Sequence, residues 1–131
     1  MMKKRQPTTT RVTDAPRSEE ASVVAWEANP QAQALRVDLQ SGVFLILPYS
    51  QFGFAQFARE ATGETLHISF ATHDVRISGR NLRELGLALQ KLTVDWIKEM
   101  PARYAALAEK GAVFIERIEV AEVNEEKARF V

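Results

Sequence analysis

Residues 65–92, TLHISFATHDVRISGRNLRELGLALQKL, read as two strands feeding a helix, and the expected fold follows from them. Leu66, Ile68 and Phe70 alternate with Thr65, His67 and Ser69, the two-residue period of a strand with one buried face. Val75 and Ile77 alternate with Arg76 and Ser78 in the same way. A reversal at Thr72 and His73, whether a tight turn or a four-residue loop, sets Phe70 opposite Val75 and Ile68 opposite Ile77. All the apolar side chains then share one face. On the other face His67 falls opposite Ser78, Ser69 opposite Arg76, and Thr65 opposite Arg80.

Gly79 interrupts the second strand, and Asn81 followed three residues later by Glu84 has the spacing of a capping box that starts a helix at Leu82. Leu82, Leu85, Leu89 and Leu92 recur at spacings of three and four, an apolar stripe that predicts a helix lying on the hairpin's apolar face. Gly86 weakens that helix by about 1 kcal/mol. Four buried leucines at about 2 kcal/mol each outweigh it.

On either side of this unit the chain alternates strand signals with turns. A first strand is expected over residues 22–27 and a turn at Asn29-Pro30; Leu35, Val37 and Leu39 then alternate with polar neighbours, and Ser41-Gly42 reverses the chain. Residues 43–47, VFLIL, are apolar at every position, which predicts a central strand covered on both faces and ended by Pro48. A short helix is expected from about Ser50, and residues 61–64 return the chain to the hairpin. Thr93, Val94, Trp96 and Ile97 favour a strand over 93–98, Pro101 opens a further helix that Gly111 closes, and Val113, Phe114, Ile115, Ile118 and Val120 form a last strand. The apolar phase of that strand changes across Glu116 and Arg117, the mark of a bulge or an edge position. The fold class expected is α+β: a single domain over residues 21–122, a mostly antiparallel or mixed sheet, and two to three helices packed on one face. Residues 1–20 read as a disordered tail and 123–131 as a polar one.

Composition narrows the function classes. With 131 residues and 46% hydrophobic content the chain supports one core. It has no cysteine, which excludes disulfides, thiolate catalysis and cysteine-ligated zinc. Seventeen basic residues balance seventeen acidic ones, so no global field draws in nucleic acid or an anionic membrane. The chain has no apolar run of transmembrane length and no hydrophobic signal core, and a cytoplasmic location is expected.

No motif names a reaction. The serine-hydrolase, phosphate-loop and zinc-protease signatures are all missing, and in the expected hairpin His67 and His73 lie too far apart for one metal, so neither metal nor cofactor is expected. Two sets of residues stand out. His67, Arg76, Arg80, Asn81 and Arg83 combine a histidine and three guanidiniums with a helix N-terminus, the donors an anion or a nucleic-acid phosphate would use. Against a site stands the plainer reading, the solvated face of a half-exposed sheet. Tyr49, Phe52, Phe54 and Phe57 crowd more aromatic surface into one segment than a small core readily hides, which marks core packing or a contact with another subunit. The leading expectation is a non-enzymatic interaction module that forms a homodimer through this segment or an exposed strand edge. The alternatives are an anion or nucleic-acid binder built on His67, Arg76 and Arg80, and a small enzyme with His67 as base in a concave pocket.

Overall fold

A computed structural model describes residues 24–123. In chain order the strands are β1 (Trp26–Ala28), β2 (Ala34–Asp38), β3 (Phe44–Pro48), β4 (Phe52–Glu60), β5 (Gly63–Phe70), β6 (His73–Arg80), β7 (Val94–Lys98) and β8 (Phe114–Glu122). One α-helix, α1 (Arg83–Gln90), joins β6 to β7, and two 3-10 turns span Tyr49–Gln51 and Ala102–Leu107. The strands form two four-stranded sheets, sheet I in the order β1-β7-β2-β3 and sheet II in the order β4-β5-β6-β8. Every pairing is antiparallel except that of β2 with β7.

This corrects the expected fold class. The protein is mostly β, with strand at 52% of the described residues, rather than an α+β domain with two to three helices on one face. Two helices of the sequence reading account for most of the difference. The segment after Pro48 makes a single 3-10 turn and then runs as nine residues of strand, because its phenylalanines and Gly53 favour extended pairing with β5 over a helix. The segment after Pro101 is the 3-10 turn Ala102–Leu107, with none of its residues fully buried and only Tyr104 and Ala105 partly packed on the core, too little apolar face to lengthen it.

The hairpin and its helix are present. β5 pairs with β6 so that Leu66 faces Ile77 and Ile68 faces Val75, and all four are buried. The register differs from the expected one by two residues, since the chain reverses at Ala71 and Thr72, one position earlier. An even shift leaves the faces intact and changes only the partners across them. Leu85 and Leu89 of helix α1 and its N-cap residue Leu82 are completely buried, and these join Leu35 and Val37 of β2, Val94 and Ile97 of β7 and the inward residues of sheet II in one core. The strand expected over 93–98 is β7, in the middle of sheet I. The bulge expected near Glu116 is also there: Arg117 pairs with Ser78 and Ile115 with Gly79, leaving Glu116 as the extra residue of an edge strand.

The 43–47 segment is placed otherwise than its composition suggests. β3 is the edge of sheet I, not a central strand, with Val43, Phe44 and Ile46 between 54% and 60% exposed. Only Leu45 and Leu47 point toward the interior, half-buried and buried. The tail expected over 1–20 lies outside the described residues, and so does the tail expected over 123–131 except Val123, whose N–H donates to the Thr72 carbonyl at 2.9 Å.

Candidate functional site

The outer face of sheet II carries the polar residues of the hairpin in rows that cross all four strands. One row runs Gln56, His67, Arg76, Glu119; the next runs Phe54, Ser69, Asp74, Ala121. His67 therefore faces Arg76 rather than Ser78. Its Nε2 lies 3.5 Å from Asp74 Oδ1, near enough for electrostatic contact, and it is buried without a hydrogen bond. What buries it is in part Phe54, whose ring meets the imidazole edge-on at 5.6 Å between centroids. Arg76 sits between His67 and Glu119, so the row holds one guanidinium flanked by a carboxylate.

Arg80, Asn81 and Arg83 belong to a different part of the surface. The Arg80 guanidinium lies 5.0 Å over the ring of Phe114 and its Nη2 donates to the Ala105 carbonyl at 3.4 Å. Asn81 takes the left-handed conformation at φ 58°, and its Nδ2 donates across to the Ala112 carbonyl at 2.9 Å. It does not cap the helix. The cap comes from the β4–β5 hairpin, where Glu64 Oε1 accepts the Leu82 N–H at 2.7 Å, with Arg59 3.5 Å from the other carboxylate oxygen. Arg83 is exposed on the first turn of α1. Shallow clefts of about 360 and 440 Å³ flank Arg80 and Asn81, one running to Lys110 and Phe114 and the other to Arg59 and Glu64.

The five residues singled out for anion binding thus fall into two groups on separate rows, and at the helix end a carboxylate of the chain itself already sits where an anion would. His67 lines neither cleft.

The aromatic segment also divides. Tyr49 is buried, stacked on Phe70 at 6.3 Å, and its hydroxyl donates to the Val94 carbonyl at 2.6 Å. Burial, with the negative charge of Asp95 behind it, pushes the Tyr49 phenol well above its ordinary range. Phe52 packs edge-on against both Tyr49 and Phe70, and Phe57 is half-buried against the core. Phe54 alone of the four is exposed, at 47%.

No family model, no curated protein and no solved structure matches this chain.

What remains is a set of exposed apolar side chains that the sequence reading placed only in part. Phe54 is joined by Val43, Phe44 and Ile46 as large apolar side chains open to solvent. All four lie in residues 43–58, inside an uncharged run that spans 39–58, and this segment supplies β3 and the first seven residues of β4, each strand the edge of its sheet. The signal was legible as the missing charges. An uncharged apolar strand is most often a covered one, so missing charges point first to burial.

The two remaining edges are finished differently. β1 is three residues long. Along β8 the Glu99 carboxylate accepts the Ile118 N–H at 3.0 Å while its other oxygen accepts the Gln40 N–H of the β2–β3 turn at 3.0 Å, and Met100 N–H reaches the Ile115 carbonyl. Glu116, Arg117, Glu119 and Glu122 add charge to that strand. Short length, bound edge groups and charge are the usual guards against strand addition. β4 has nine residues and, from 54 to 58, none of these guards among the described residues.

Proposed function

We propose that this protein is a cytoplasmic, non-enzymatic interaction module that self-associates through the uncharged 43–58 segment. The observation that carries the reading is the coincidence of two features: the longest uncharged run of the described chain, residues 39–58, supplies β3 and most of β4, each the edge of its sheet, and it carries Phe44, Ile46 and Phe54 at 47% to 60% exposure. A folded monomer gains nothing from open phenylalanines beside unpaired strand edges, whereas an interface uses both. The even balance of seventeen cations and seventeen anions sets no repulsion between copies. No helix among the described residues is long and apolar enough to cross a membrane.

An anion or nucleic-acid site has less support, because Arg80 is committed to Phe114 and Ala105, and Arg76 stands beside Glu119. Catalysis by His67 has less still, since Phe54 packs edge-on against the imidazole and neither cleft beside the arginines reaches it. Sedimentation velocity over a concentration series tests the proposal. A dimer forming within the micromolar range supports it; a monomer at several hundred micromolar overturns it.

A further inference from the structure

We infer that the partner of β4 is the β4 strand of a second copy, running antiparallel about a two-fold axis at Gln56, so that two sheets II join as one eight-stranded sheet. This inference rests on the self-association proposed above and adds which edge, which partner and which register.

Of the edges, β4 suits strand addition best. β3 is five residues and ends in Pro48, which offers no N–H to a new neighbour. β4 is nine residues, roughly 30 Å at strand rise, and half of its backbone N–H and C=O groups point away from β5.

The ends of the usable run are marked in the chain. Toward the N-terminus the pairing with β5 slips between Phe52 and Phe54, a bulge at Gly53, where a side chain would press on the Ser69 carbonyl at 3.2 Å. Toward the C-terminus Arg59 brings the first charge. The regular, uncharged ladder is therefore residues 54–58, FAQFA, and its midpoint is Gln56.

An axis at Gln56 makes this run complementary to itself. Phe54 of one copy faces Ala58 of the other on the outer side, and Ala55 faces Phe57 on the inner side. Each ring meets a methyl group, and Gln56 meets its own copy. The faces follow from the pairing with β5: Ala55 and Phe57 stand beside Ile68 and Leu66, both buried, while Phe54 and Ala58 stand beside Ser69 and Thr65. Ala55 is exposed even though it belongs to the inward face, so there is open space beside it for the partner's ring. An axis one residue further on, at Phe57, would set the two Phe57 rings against each other and lay Glu60 against Phe54. The complementarity would be lost.

Because the chain has no cysteine, single cysteines report the register without background. Directly opposed residues of an antiparallel pair have Cα atoms about 4.5 to 5.5 Å apart, inside the range a disulfide spans. Under mild oxidation Gln56→Cys should become mostly a covalent dimer. An equimolar mixture of Phe54→Cys and Ala58→Cys should yield the heterodimer, and Ser50→Cys, exposed on the turn, should yield at least fivefold less and so report random collision. Phe54→Lys should raise the dimer dissociation constant at least tenfold, while Phe44→Lys changes it less than twofold. A dimer by sedimentation in which Gln56→Cys stays reduced and Ile46→Cys is linked would overturn this inference and leave the proposed function standing. A wild-type monomer at several hundred micromolar would overturn both.

Discussion

Glu64 and Leu82, eighteen residues apart, hold the start of the only α-helix among the described residues: the carboxylate oxygen of the first accepts the backbone N–H of the second at 2.7 Å. The local pair with capping-box spacing, Asn81 and Glu84, makes no such bond, because Asn81 is turned toward Ala112. Removing a charged cap leaves a part-buried N–H without an acceptor, at a cost of about 1–2 kcal/mol. Urea unfolding should show that loss for Glu64→Ala and less than about 0.5 kcal/mol for Glu84→Ala. Equal losses would mean that the helix is capped locally.

Gly79 is required where it stands. A Cβ built there meets the Phe114 carbonyl oxygen at 2.0 Å, a backbone atom of the neighbouring strand that cannot swing aside. Gly79→Ala must open the β6–β8 ladder at its bulge, and a loss of about 3 kcal/mol is expected, read from the denaturation midpoint. Gly86→Ala makes a useful contrast: the added methyl comes within 3.5 Å of a Leu66 methyl, ordinary contact, and the better helix former should stabilise by up to about 1 kcal/mol.

These two glycines show how far the residues disclosed the fold. Period two and period three-to-four located the hairpin and the helix, and they did so robustly, since an error of two residues in register leaves every side chain on its proper face. What period does not encode is partnership across the sequence. The helix cap comes from Glu64, the clash at Gly79 comes from Phe114, and whether VFLIL is central or at an edge depends on what lies beside β3. The candidate site was hidden for the same reason. Tyr49, Phe52, Phe54 and Phe57 look alike in the chain, and only the bulge at Gly53 decides that Phe54 turns outward while Phe52 joins Tyr49 and Phe70.

Tyr49 should give the protein a distinctive alkaline limit. Its folded-state value is raised from 10.0, first by burial and then by Asp95, so above pH 10 the unfolded chain gives up a proton that the folded chain keeps. The contribution of this residue to stability is whole below pH 10 and then falls by up to about 1.4 kcal/mol per pH unit. Tyr49→Phe loses the hydrogen bond to the Val94 carbonyl, about 1 kcal/mol at neutral pH, but it also removes the titration. Urea midpoints at about pH 7 and pH 11 should therefore converge or cross for the two proteins. A constant gap across that range would mean that the phenol ionises in the folded state as freely as in water.

The placement of β3 carries the last prediction, because it separates an edge from a centre by energy alone. A central, doubly covered isoleucine replaced by alanine loses about 2–5 kcal/mol through lost transfer energy and the cavity left behind. Ile46 is 60% exposed on an edge strand, so Ile46→Ala should cost less than about 1 kcal/mol, while Leu35→Ala, fully buried on the adjacent strand β2, should cost the full amount. With the contact confined to β4, the small loss for Ile46→Ala should not depend on protein concentration; a loss that grows from low to high micromolar protein, since association stabilises the native form by mass action, would bring the exposed side chains of β3 into the dimer contact. A loss above about 2 kcal/mol at high dilution would return β3 to the centre of a sheet.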